Sequence, residues 1–329
     1  MRIKKIHIFI RKKANNHQHS VERFAEVLKK NHKDKNLNIE IVKCPVISKG
    51  LFRRLYLICW AYFNQGDVNH ILGDIIYISI FMTKNKTINT FLDCRLLDCF
   101  VRAKKFIYKL IWFELPIKNS RIITFISKFT KLQIEKKLNF KVKNSEVIPV
   151  PLTDNLLFRV NNNKIKNILI IGTSKHKNVK NMIIGIKDLD VNLTIIGELD
   201  HKIKLFCKSN KIYYKNLIDI GKNKMKKILA QNDILLMVSK YEGFGMPIIE
   251  AQASGLVVIT SDVEPMKSVV GKDGLIVNYN NPIEITKKIQ KLLKDKDYFL
   301  KILKKGNDNS KKYDYKIIND YYHKLYNRI

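Results

Sequence analysis

The feature that most restricts what this chain can become is a repeated alternation of short apolar runs with longer stretches of helical periodicity. In the first half the runs are 6–10 (IHIFI), 39–42 (IEIV), 68–72 (VNHIL), 87–92 (TINTFL) and 121–127 (RIITFIS). In the second they are 167–172 (NILIIG), 192–197 (NLTIIG), 211–214 (KIYY), 233–239 (DILLMVS) and 256–260 (LVVIT). Several of these, such as LLMV and LVVI, lack polar alternation, which suits strands covered on both faces. The helical stretches between them suit crossovers, so the pattern reads as βαβ units around parallel sheets, an α/β fold. The first helix illustrates the reading: a polar loop runs up to Ser20, a fitting N-cap, and Val21, Phe24, Val27 and Leu28 then fall on one face.

Residues 146–152 (EVIPVPL) hold two prolines that fit neither a helix interior nor a central strand, and a polar stretch (NNNKIKN) follows at 161–167. These signals predict a boundary, with a first domain over 1–155 and a second over 156–312. A chain of 329 residues is long enough for two such domains, each with its own core. The tail from 283 reads as helical, with Ile283, Ile285, Ile289, Leu292 and Leu293 on an apolar face. A break is expected at Gly306-Asn307-Asp308-Asn309, before a tyrosine-rich last helix at 313–329.

Charge and composition narrow the function classes. With 46% hydrophobic residues the chain is not a disordered polycation, despite 62 Lys+Arg against 29 Asp+Glu. The first 150 residues carry 30 basic and 11 acidic side chains, the denser half, which predicts affinity for polyanions such as nucleic acid or an anionic membrane surface. The five cysteines are scattered and form no C-x-x-C pair, so a reduced cytoplasmic protein without a zinc site is expected. The start, MRIKKIHIFIRKK, is too short in apolar residues for a secretory signal, and the strongest apolar run, Leu55 to Phe63, is about half the ~20 residues that span a bilayer. Residues 100–113 (FVRAKKFIYKLIWF) would form a helix with Arg102, Lys105 and Lys109 on one face and Ala103, Phe106, Ile107, Leu110 and Ile111 on another. That helix either packs on the core or lies at an anionic interface.

Chemistry concentrates in Ser239 to Gly255 (SKYEGFGMPIIEAQASG), where a buried strand ends and a helix begins. Pro247 fits the first helical turn. Gly243 and Gly245 before it can turn main-chain N–H groups and the positive helix end toward an anion. Glu242 and Glu250 lie eight apart around that turn. Carboxylates accept hydrogen bonds from sugar hydroxyls while amides hold phosphate, so a ligand carrying both groups is the expected partner.

This segment, YEGFGMPIIEAQASGLVVITSD, resembles the signature of the retaining glycosyltransferases of family 4, with their GT-B fold and Glu-x7-Glu motif. IIGTSKHKNVKNM, TIIG and VVGKDGLIVN resemble further segments of their donor domain, and HSVERF, VNHILGDIIY, TFISKFTK and VIPVPL resemble parts of their acceptor domain. The resemblance implies two Rossmann-like domains facing each other across a cleft, the first binding acceptor and the second a nucleotide sugar, with the last helix packing back on the first. Residue by residue it implies that Glu250 binds the ribose, Glu242 contacts the transferred sugar, and Gly243, Phe244, Gly245 and Met246 border it. Lys177 would neutralise the diphosphate, with Gly172 and Thr173 beside the same phosphates. It also implies metal-independent transfer without a cofactor, an acceptor that is a glycan or a lipid-linked glycan, and work at the inner face of the plasma membrane in polysaccharide or lipopolysaccharide synthesis.

Departures from the family pattern are visible. Thr173 stands where many relatives have arginine, and Lys175 is the candidate substitute. Leu92-Asp93 stands where relatives often have His-Asp, which leaves His70 and Asp93 as acceptor-side candidates. Ser268 stands where relatives commonly have glutamate. Competing readings are a basic nucleic-acid-binding protein, for which no specific motif is present, a sugar-nucleotide epimerase of related architecture, and a catalytically silent scaffold.

Overall fold

The computed structural model describes residues 3–12, 20–30, 36–100, 102–152, 156, 158–160 and 165–329. Most of the loop expected before Ser20 (13–19) and part of the polar stretch (161–164) lie outside the described residues. The chain divides into two units, residues 1–154 with 314–329, and residues 155–313.

In the first unit the strands are β1 (Lys4–Ile10), β2 (Leu37–Lys43), β3 (Val68–Leu72), β4 (Thr87–Phe91), β5 (Ile122–Phe125) and β6 (Ser145–Val147). They form one parallel sheet in the order β2-β1-β3-β4-β5-β6. The helices include α1 (Ser20–Lys30), α2 (Leu51–Phe63), α3 (Arg102–Lys109) and α4 (Lys128–Leu138). Val21, Phe24, Val27 and Leu28 of α1 are buried, as their spacing predicts. Ser127 caps α4, accepting a hydrogen bond from the Thr130 N–H. Of the helix expected at 100–113, Arg102–Lys109 is α-helical and the chain then widens into a π turn, Leu110–Glu114, while residue 101 lies outside the described residues. Phe106 and Ile107 there are exposed, whereas Phe113 is buried.

In the second unit β7 (Asn167–Ile171), β8 (Asn192–Ile196), β9 (Tyr214–Leu217), β10 (Ile234–Met237), β11 (Val257–Ser261) and β12 (Leu275–Val277) form a second parallel sheet, ordered β12-β11-β10-β7-β8-β9. Its helices include α5 (Val179–Ile184), α6 (His201–Ser209), α7 (Lys222–Ala230), α8 (Met246–Ser254), α9 (Pro282–Lys294) and α10 (Lys296–Ser310). α11 (Tyr315–Asn327) belongs to the first unit, against α1.

Two expectations fail for tertiary reasons. The strand expected at 211–214 begins only at Tyr214, because 211–213 still close α6: Lys211 takes a left-handed turn at φ 53° and the Ile212 N–H bonds to the Cys207 carbonyl. No break occurs at Gly306–Asn309, since α10 runs straight through it. α10 packs along α8 there. Gly306 lets the helix approach Gln252, and Asn309 Nδ2 donates to Gln252 Oε1 at 3.0 Å and to the Val269 carbonyl at 2.9 Å. Packing outweighs the poor helix propensity of Gly-Asn-Asp-Asn, at most about 1 kcal/mol per residue. Ile283, expected on the apolar face of α9, is exposed, while Ile285, Ile289 and Leu292 are buried.

α11 is held by its tyrosines. Tyr322 and Tyr326 are completely buried, and Asn319 Nδ2 donates to the Val27 carbonyl at 3.1 Å. Replacing Tyr322 by Ala removes a fully buried ring and should cost about 3–5 kcal/mol in urea-induced unfolding. An effect below 1 kcal/mol would mean that α11 is dispensable to this unit.

Candidate functional site

In a doubly wound sheet, ligands bind beyond the C-terminal strand ends where the strand order reverses. In the second unit the chain moves from β7 to β8 and β9 on one side, then returns to β10 on the other, so the reversal lies between β7 and β10. Lys177 follows β7 and Glu242 follows β10. Their side chains meet there, Lys177 Nζ donating to Glu242 Oε1 at 2.7 Å, with 15% and 12% of the two side chains exposed. Charges so far withdrawn from water persist only when paired, and neither partner is replaceable alone without stranding the other.

The path of Lys177 depends on Gly172, which ends β7 at φ 87°. A Cβ at this position would lie 2.8 Å from Lys177 Cε. Lys175, His176 and Lys177 form a single 3-10 turn, closed by Asn178 at φ 61°. Asn178 Nδ2 donates to the carbonyls of Val238 and Tyr279, and the Lys240 N–H to the His176 carbonyl, tying this turn to the end of β10. Thr173 Oγ1 donates to the Glu198 carbonyl at 2.6 Å. Lys175 is exposed.

Between Glu242 and α8 the chain turns through Gly243, buried Phe244 and Gly245. Gly245 sits at the N-cap with φ 101°, no side chain caps the helix, and Pro247 occupies its first turn. The first N–H groups and the positive end of α8 are therefore free of a capping side chain beside an ion pair, which suits an anion. Phe244 is fixed edge-on to Tyr313 at 5.8 Å between centroids. Met246 begins α8, and Glu250, half-buried, lies one turn into it.

Ser268 has a carboxylate at hand that sequence reading overlooked. Its Oγ donates to Glu264 Oε1 at 2.8 Å, and Glu264 Oε2 is buried with no hydrogen-bond partner among the described residues. The signal available was an acidic residue one turn before the position in question.

In the first unit the acceptor-side candidates separate. His70 is corrected to a core residue: it is completely buried, its Nδ1 bonded to Tyr326 Oη at 2.7 Å and its Nε2 to Thr90 Oγ1 at 2.6 Å, with its ring stacked on Tyr322. β3 is covered on both faces, so a histidine in its middle cannot reach a ligand. Asp93 lies past the end of β4, exposed, and lines a cavity of about 190 Å³ with Arg11, Asp74 and Trp112. The strand order of this sheet reverses between β1 and β3, and Arg11 and Asp74, which follow those two strands, pair at 3.3 Å. Glu22 lies 3.9 Å from Arg11 Nε, its carboxylate buried without a hydrogen-bond partner among the described residues. Arg11, Asp74 and Glu22 were missed because only the topology brings them together. Among the described residues there is no His/Cys/Asp/Glu cluster of metal-holding size.

The fold is that of the GT-B glycosyltransferases: HepE of Anabaena, solved in complex with UDP, matches with a TM-score of 0.78 at 11% identity, over 99% of this chain and 100% of that one. Residues 158–313 match the family model described as Glycosyl transferases group 1. An uncharacterized glycosyltransferase of Methanocaldococcus jannaschii is 26% identical over 77% of this chain and 69% of its own length. The N,N'-diacetylbacillosaminyl-diphospho-undecaprenol alpha-1,3-N-acetylgalactosaminyltransferase of Campylobacter jejuni is 27% identical over 61% of this chain, a match spanning 56% of that relative.

The core role of His70 has a pH signature. Burial lowers its pKa from 6.5 to about 3, so the folded protein keeps it neutral while the unfolded chain takes up a proton below about 6.5. Its stability contribution is therefore complete above pH 6.5 and is lost as pH falls toward 3. Between pH 7 and pH 5 the wild type should lose about 2 kcal/mol more stability than a His70→Gln variant, read by chemical denaturation. Equal losses would place His70 in contact with water.

Proposed function

We propose that this protein is a retaining glycosyltransferase that moves a sugar from a nucleoside diphosphate to an acceptor hydroxyl. The observation that carries the reading is the Lys177–Glu242 pair at the β7/β10 reversal, beside the uncapped N-terminus of α8. In this reading the second unit binds the donor. Glu250 accepts hydrogen bonds from the ribose hydroxyls and Glu242 from the transferred sugar, while the backbone from Gly243 to Met246 lines the sugar's pocket. Lys177 serves the diphosphate, with Gly172 and Thr173 bordering it and Lys175 adding charge from the rim.

The chemistry follows from where charge develops. The bond between the anomeric carbon and the phosphate oxygen breaks, and a bond from the acceptor oxygen forms on the same face. The acceptor proton passes to the departing phosphate, so no protein base is needed. Negative charge builds on the diphosphate, and the Lys177 ammonium and the α8 amides stabilise it where it grows. We assign the acceptor to the first unit, in the cavity of Arg11, Asp74 and Asp93, whose excess of carboxylates favours neutral hydroxyls over an anionic group. The Campylobacter relative, named for a sugar on an undecaprenyl diphosphate, supports a glycan or lipid-linked glycan as acceptor, in cell-surface polysaccharide or lipopolysaccharide synthesis at the inner face of the plasma membrane.

A thermal-shift panel of UDP, GDP, CDP, ADP and TDP tests the donor site. One nucleotide should raise the melting temperature, with stabilisation reaching about 2.7 kcal/mol at a hundredfold excess over Kd, and Glu250→Ala should abolish it. If no nucleotide shifts the transition, the donor reading is wrong.

Turnover with the nucleotide sugar so identified tests the charge assignment. Lys177→Met should lower kcat by about 10²–10³-fold, and EDTA should leave wild-type activity unchanged. Loss of activity in EDTA, restored by a divalent cation, would transfer the role of Lys177 to a metal. Nucleotide-sugar isomerisation without acceptor, followed by NMR, would replace transfer with epimerisation.

A further inference from the structure

α2 buries Leu57, Ile58 and Ala61 against the first unit and turns a stripe of large apolar side chains outward. Phe52 is 85% exposed and Phe63 81%, and Leu55, Tyr56 and Tyr62 between them are at least half exposed. With exposed Cys59 between Tyr56 and Tyr62, these positions recur every three to four residues and form one continuous face. The 3-10 segment Ile76–Phe81 packs on α2 and ends in Phe81, 67% exposed. The π turn after α3 packs on that segment, with the Arg54 guanidinium 4.8 Å above the Trp112 ring. α3 adds exposed Phe106. A monomeric protein in water rarely leaves so much contiguous aromatic surface open without using it.

The charge on the same three segments selects the occupant. Residues 44–66, 75–92 and 99–114 contain nine Lys and Arg and a single acidic residue, Glu114, which pairs with Lys109 at 3.4 Å. The chain as a whole has about one acidic residue for every two basic ones, so these segments are depleted in carboxylates. Aromatic and aliphatic side chains ringed by cations on long stems match a surface that is apolar inside and anionic at its rim. We propose that α2, flanked by the Phe81 turn and α3, docks the protein on an anionic lipid bilayer, Phe52 and Phe63 entering below the headgroups while Arg53 and the neighbouring lysines pair with lipid phosphates. No helix among the described residues is long and apolar enough to cross a membrane, so the contact is peripheral. The inference rests on this surface alone and stands apart from the donor site, though a lipid-carried acceptor would be met there.

Co-sedimentation with vesicles of phosphatidylcholine, with and without phosphatidylglycerol, tests it. The wild type should pellet with the anionic vesicles and be released by raised salt, and Phe52→Ser/Phe63→Ser should weaken partitioning by at least about tenfold. Because both side chains are exposed, the double variant should keep the wild-type melting temperature and the wild-type response to nucleotide, which separates failure of this inference from failure of the donor reading. A fluorophore on exposed Cys59, in a Cys99→Ser background, should shift to the blue with anionic vesicles only. The proposal is overturned if the wild type stays in the supernatant, if both vesicle types bind it equally, or if the double variant partitions like the wild type. It is also overturned if sedimentation velocity shows a dimer that the double variant dissolves while vesicles leave the wild type unbound, since a second copy would then be the occupant.

Discussion

A parallel sheet has two faces to bury, and both sheets of this protein meet that demand in the same way. Each strand returns through a crossover, so all strands of a sheet point one way and all their C-terminal ends emerge on one edge. The loops leaving that edge are the only parts of a buried strand-helix unit free to hold polar chemistry. Lys177 and Glu242 belong to two such loops, 65 residues apart in sequence, and meet because β7 and β10 are neighbours.

Their meeting is electrostatic as well as topological. Each charge is largely withdrawn from water, and the pair is held by backbone devices on either side: the left-handed Gly172 that clears space for the lysine stem, and Asn178, which ties its turn to the carbonyl of Val238. A cation fixed in this way, beside a helix end that no side chain caps, is oriented before any ligand arrives. In the transfer proposed above, preorganisation of this kind is what would stabilise developing charge without reorganisation at the moment of reaction.

The first unit uses the same architecture for a different purpose. Its central strands carry His70, Thr90 and Thr124 into the core, where they bond to one another and to the tyrosines of α11. Such a network specifies where the last helix docks, because a buried polar group left unmatched costs more than a misplaced apolar one. On the outside, α2 shows the opposite economy, leaving its aromatic residues open on a face free of acidic side chains.

Much of this is legible without coordinates. The apolar runs foretell most of the strands, because strands covered on both faces need unbroken hydrophobicity, but not the three-residue β6 and β12 or the place of β9; Gly243, Gly245 and Pro247 announce the turn into α8 through their backbone geometry alone. Local reading fails where distant packing decides. Gly306–Asn309 looks like a helix break until α8 is laid against it, and the partners of Ser268 and Arg11 follow from which loops share an edge. His70 reads as an acceptor-side candidate or, more commonly for a lone histidine on an apolar strand, as core, until β3 is seen to be covered on both sides. The sequence by itself determined the element types, the parallel α/β class and the residue types of the donor-like loop, since these follow from periodicity and backbone preference over a few residues. Only the tertiary structure decided which charges pair, which histidine is sealed and which aromatic face stays open, because those outcomes depend on contacts between segments that no local pattern connects.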